Sequence, residues 1–191
     1  VCWHEMDVDG ELTLACVDEF SRALETRLRR TLYAWRHMRA DMVVEPVVDV
    51  PKVFVGLGSG IRIVERRATL DPGNPVVGHQ YEDQLAREED VEKIRAGTVE
   101  LDTAGTAANE ERAHELLDGV LGVRMQGIFP VFSPWDAIAQ WRGAEAVLTD
   151  LAERPGHAHR IMERLTTSML ATLDQLEAKG FLGTGQATIH C

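Results

Sequence analysis

Nine residues carry the side chains from which a reaction or binding site could be assembled: Trp3, His4, Glu5, Glu45, Arg124, Phe132, Trp135, His190 and Cys191. A carboxyl such as Glu5 or Glu45 protonates a leaving oxygen once burial raises its pKa, and His190 is a further acid or base. Trp3, His4, Arg124, Phe132 and Trp135 are the groups to hold a substrate. His190 and Cys191 are zinc-type donors. The nine come from distant stretches, so a fold has to bring them to one rim. Adjacent strand residues face opposite sides, so only one of His4 and Glu5, and one of His190 and Cys191, can point inward. A zinc site would need His4, Glu5 or residues outside this sequence to complete it. Each residue also has a bland reading: Glu45 as a salt-bridged acid, His190 as a satisfied core imidazole.

The elements that must position them follow from periodicity. Val1 to Met6 reads as a short strand, followed by the acidic turn Asp7 to Glu11. From Asp18 to about Arg39, Phe20, Leu24, Leu28, Leu32 and Trp35 recur every three or four residues, with arginines between them as a solvated flank. That is an amphipathic helix. Met42 to Val50 is nearly continuous and β-branched, as in a parallel strand covered on both faces. Ile61 to Arg67 alternates like a half-wet strand, and Asp71 to Pro75 is a turn cluster. Glu89 to Ala96 and Thr106 to Leu121 read as helices, and Val123 to Phe129 as the next strand. Ser133 and Pro134 predict a helix start with a serine cap, running to about Trp141. Gly143 opens another helix, Pro155 to Lys179 is a long one stopped by Gly180, and Gln186 to Cys191 is a last strand. Strands alternating with helices imply a parallel sheet with right-handed crossovers.

Composition narrows the function classes. A net charge of −11 argues against nucleic acid, and no run approaches the ~18 apolar residues of a membrane span. Three widely spaced cysteines do not suit a disulfide framework, so a cytoplasmic protein with reduced thiols is expected. Gly56, Gly58 and Gly60 are read as a turn, because no helix follows to receive a phosphate. Asp7, Asp9 and Glu11 lack the full ligand set of a calcium loop. Ser133 lacks a nucleophile elbow.

The stretch GIFPVFSPWDAIAQWRG, Gly127 to Gly143, continues into a proline-led long helix and then a strand, and it resembles the uroporphyrinogen decarboxylase and corrinoid methyltransferase superfamily. The resemblance implies a (β/α)8 TIM barrel, of which 191 residues make about the first half, strands 1 to 4 with their helices, in one partial domain. It also implies a methyltransferase moving a methyl group between a small methylated donor or acceptor and a corrinoid carried by a partner protein, with zinc as a further cofactor. True decarboxylases carry an arginine-rich segment after the first strand, whereas here Trp3 to Met6 leads into Asp7, Asp9 and Glu11. Acids there would repel a porphyrinogen, so decarboxylation ranks second and a noncatalytic barrel that only binds ranks third. Both terminal runs read as strands, and bare edges seek partners. The expectation is therefore a fragment of a longer chain, or a homodimer that pairs those edges.

Overall fold

A computed structural model describes residues 3–38, 41–69 and 77–184. The predicted turn Asp71 to Pro75 and strand Gln186 to Cys191, with His190 and Cys191, lie outside them. The chain divides into two compact units: Val1–Asp49 with Asn109–Arg124, and Val50–Ala108 with Met125–Cys191. No described helix is long and apolar enough to cross a membrane.

In the first unit, helix α1 spans Glu19–His37. Asp18, in extended conformation, starts it by accepting the Ser21 N–H at 2.9 Å, which satisfies one of the free amides of the first turn. The helix is where its periodicity predicts, but its burial differs: Tyr33 is buried while Leu32 and Trp35 are exposed. Tyr33 is covered because Trp3 meets it edge-on at 6.1 Å and the His37 ring lies 4.4 Å away. Residues Trp3–Glu5 form a 3₁₀ turn rather than the expected strand. The Trp3 ring, with the Arg30 guanidinium 5.1 Å from its centroid, packs onto α1. The acidic loop closes on itself, as Asp7 accepts from the Leu12 N–H at 2.8 Å and the Thr13 hydroxyl at 3.1 Å. Glu11 takes Arg36 at 3.0 Å and His37 at 3.1 Å.

Strand β1 is Val47–Pro51, and β6, Gly122–Gln126, lies beside it. The Gly122 N–H donates to the Pro46 carbonyl and the Lys52 N–H to the Gln126 carbonyl, both at 2.9 Å. Partners climb the two strands together, which makes the pair parallel.

In the second unit, Ile128 bridges Leu182 in parallel: its N–H donates to the Phe181 carbonyl at 2.8 Å and its carbonyl accepts from Gly183 at 2.8 Å. A short antiparallel pair, β2 (Phe54–Val55) with β5 (Glu100–Leu101), follows no pattern visible in the sequence. Just past β2 stands Gly56 at φ +78°, where a Cβ would stand 1.9 Å from the Thr98 carbonyl oxygen. A Cβ on Gly97 would stand 2.3 Å from the Gly56 oxygen, so two backbones touch where side chains cannot fit. Strands β3 (Glu65–Ala68) and β4 (Gly78–Tyr81) form an antiparallel hairpin, shifted toward the C-terminus of the predicted Ile61–Arg67 run. A 3₁₀ helix, Glu88–Lys93, replaces the short α-helix expected at Glu89.

Helix α2 spans Thr103–Leu117, beginning three residues earlier than predicted because Asp102 accepts the Gly105 N–H at 2.9 Å. Then come α3 (Pro134–Arg142), α4 (Ala144–Glu153) and α5 (Pro155–Ala178). Ser133 precedes α3 without capping it; its ψ of 73° is far from the extended value at Asp18. Leu85, Val91, Ile94, Ile138, Trp141, Ile161 and Leu165 make the core between the 3₁₀ segment, α3 and α5. Each such side chain contributes on the order of 1.5–3 kcal/mol by leaving water.

Glu25 ties the approach to α1 onto the helix by accepting the N–H groups of Cys16 at 2.9 Å and Ala15 at 3.0 Å and the Arg29 Nε at 2.8 Å. Those hydrogen bonds favour the carboxylate and lower its pKa from 4.5 to about 2. A folded pKa below the unfolded one contributes stability above about pH 4.5, lost as pH falls toward 2. The melting temperature of Glu25→Gln is therefore expected to decline less steeply than wild type across that window, and parallel declines would refute the tie.

Candidate functional site

Parallel strands present their carboxyl ends and the loops that follow them as the rim on which sites are built. Two clusters matter: the side chains along β1 and β6, and the loop that leaves β6.

On β1, Asp49 is the polar member of an otherwise apolar run, and Arg124 stands across from it on β6. The Arg124 Nε donates to Asp49 Oδ1 and its Nη2 lies 3.4 Å from Glu45 Oε2. From α1, Arg27 adds Nη2 at 3.5 Å from Asp49 Oδ2 and a hydrogen bond to the Asp49 carbonyl. The Asp49 hydrogen bond is the main reason the Arg124 pKa is raised. Two of the expected site residues, Glu45 and Arg124, belong to this arrangement. Glu45 lies ahead of β1, and its side chain is 59% exposed. Arg124 is paired with Asp49, which Arg27 of α1 also meets. Asp49 itself was not singled out by spacing, although an acid inside an apolar strand is a signal that a cation must meet it.

Trp3 is held against Tyr33 and Arg30 on α1, and Glu5, in the same 3₁₀ turn as His4, is exposed. The alternation expected of a strand does not apply to that turn. His190 and Cys191 lie outside the described residues, and among the described residues no three His, Cys, Asp or Glu side chains converge to hold a metal ion.

Phe132 and Trp135 share the loop after β6. Gly127 to Trp135 contains no charged residue, and Phe129, Val131, Phe132 and Trp135 are 40%, 77%, 53% and 45% exposed. Its base is closely packed: a Cβ at Gly127 would meet the Phe181 oxygen at 2.3 Å, and one at Gly183 would meet the Phe129 ring at 2.5 Å. The loop thus presents apolar and aromatic groups from a closely packed stem, with Ser133, whose side chain makes no capping hydrogen bond, among them.

Beneath this loop lies a polar group that spacing did not reveal. Arg142, at the end of α3, donates Nε and Nη2 to the two oxygens of Asp150 on α4 at 2.9 and 3.2 Å, and Nη1 to Asp83. The Asp150 side chain is 3% exposed. Burial by itself would raise the Asp150 pKa, but the hydrogen bonds and charge of Arg142, with Arg154 behind, hold it below the ordinary carboxylate value. Trp135, Ile138, Val147, Ala158 and Ile161 close over the pair. The pair is structural, since both carboxylate oxygens already face the guanidinium.

No known family, curated protein or solved structure matches the chain.

Replacing one partner of the pair leaves the other charge buried. Asp150→Ala is expected to cost about 3–5 kcal/mol in denaturant unfolding, whereas the double substitution Arg142→Met with Asp150→Leu should recover most of it. Equal losses in both proteins would show that packing rather than charge dominates.

Proposed function

We propose that the chain is part of a (β/α)8 barrel of the uroporphyrinogen decarboxylase type and serves corrinoid-linked methyl transfer, with the loop Gly127 to Trp135 as its recognition surface. The observation that carries this reading is the uncharged, half-exposed aromatic loop directly after a parallel strand. The parallel bonding of β1 with β6, and of Ile128 with Leu182, is compatible with the start of such a barrel. A cobalt(I) corrinoid on a partner protein would supply the nucleophile. The task left to this chain is to seat a small methylated molecule and exclude water, for which Phe132 and Trp135 are suited. No step is assigned to zinc, because the described residues offer no ligand set.

Decarboxylation of a porphyrinogen fits less well. That substrate carries several carboxylates and needs cations free to meet them. Arg27 and Arg124 are committed to Asp49, Arg142 to Asp150 and Asp83, and Arg36 to Glu11.

Incubating the protein with cob(I)alamin and a panel of methylated amines, thiols and aromatic ethers tests the reading through the spectral change to methylcobalamin. A parallel incubation with uroporphyrinogen reports decarboxylation by mass loss. Product only in the second assay reverses the order of the two activities, and product in neither leaves a binding role. With an active donor, Phe132→Ala is expected to lower kcat/KM roughly tenfold while stability changes by no more than about 0.5 kcal/mol. Unchanged kinetics would remove the loop from the site.

A further inference from the structure

The N–H of Lys52, the residue that follows β1, donates to the Gln126 carbonyl at the end of β6 at 2.9 Å. Lys52 therefore continues the ladder, and because side chains alternate along a strand it shares the face of Val50, which is 2% exposed. Two residues further on, the Phe54 ring lies 5.1 Å from that of Phe181. The Phe181 carbonyl accepts the Ile128 N–H at 2.8 Å, with Gly127 closing against the same backbone. Three segments thus meet at the carboxyl ends of the strands: 51–60, 125–135 and 181–184.

Those segments contain no Asp or Glu, in a chain with 31 acids, and their one charged side chain is that of Lys52. Among the described residues the Lys52 ammonium has no hydrogen bond or ion pair, although the residue is half-buried. On the same strands Arg124, by contrast, is met by Asp49. A partly desolvated ammonium without a counter-charge is unfavourable, and an anionic ligand supplies what it lacks. One ammonium matches one negative charge, and the half-buried rings of Phe54 and Phe181 beside it match an apolar body. We infer that Lys52 is the anion anchor of this rim, and that the small molecule seated there is a monocarboxylate with an apolar or aromatic body. This carboxylate site rests on the strand ends being the ligand-bearing rim, as proposed above, and holds with or without methyl transfer.

Titrating the full chain with benzoate and with its neutral counterpart benzamide, followed by amide chemical shifts and with no corrinoid present, tests the anchor. Benzoate is expected to bind roughly tenfold more tightly than benzamide and to shift the amides of Lys52, Phe54, Gly127 and Phe181. Lys52→Met should bring benzoate down to the affinity of benzamide, and Lys52→Arg should keep the preference. Inorganic phosphate, which asks for more donors than one ammonium, should compete more weakly than a second carboxylate such as phenylacetate. No benzoate binding, equal binding of the two ligands by wild type, a preference that survives in Lys52→Met, or phosphate binding more tightly than benzoate overturns the site. The wild-type comparison needs no variant, so it decides alone should Lys52→Met fail to fold. Benzoate binding here in a protein that transfers no methyl group would refute the methyl-transfer reading's chemistry and still support the anchor.

Discussion

The buried bond between Arg142 and Asp150 is the constraint on which the second unit turns. Two helix breaks, at Gly143 with φ +83° and at Arg154, fold α3, α4 and α5 back on one another within a few residues. Apolar packing of Ile138, Val147 and Ile161 is non-directional, so a directional group sets how far each break bends. The guanidinium is that group, because its fork meets both Asp150 oxygens in only one relative setting of α3 and α4. Its remaining arm reaches Asp83, so the exit of the hairpin is set by the same group. The ion pair contributes little net stability once desolvation is counted. Burial of Leu85, Ile138, Ile161 and Leu165 supplies the free energy, and the pair decides which packing receives it.

The first unit is held differently. Tyr33 and Val48 are among its few buried apolar side chains, and its organisation comes from carboxylates that each collect several donors: Glu25, Glu11, Asp49 and Asp7. Exposed pairs of this kind are worth at most about 1 kcal/mol each. Several share one helix, so α1 is pinned at Glu25, Arg27, Arg29 and Arg36 rather than by its apolar stripe.

The long helices were legible because their period and stops are local: Asp18 starts α1, Pro155 and Gly180 bracket α5, and Gly143 separates α3 from α4. Strand positions were read less well. Residues Met42 to Val44 are as β-prone as β1, but the strand begins only at Val47, just after the Pro46 carbonyl takes its bond from Gly122, a choice made by a partner more than 70 positions away. The N-terminal run has strand composition, yet it forms a 3₁₀ turn in which Trp3 packs against Tyr33. The Arg142 pair was invisible because its members lie eight residues apart across a helix break, beyond the three or four residues over which side chains of one helix touch. Arg124 was noticed for its charge, whereas its pairing with Asp49 across the two strands was not legible from spacing. Phe132 and Trp135 were identifiable as aromatic residues following a strand, which depends only on order along the chain.

The contact of the Gly56 and Gly97 backbones has a consequence for how this protein can change over generations. Two chain segments 41 residues apart touch with no side chain between them, so neither position can be varied unless the other segment retreats. The crossing is an immovable knot in sequence space, and diversification of the surrounding surface is channelled away from it. Gly58, with nothing within 4 Å of its would-be side chain, is the open position beside it. New residues, insertions or a grafted peptide can enter there without disturbing the crossing.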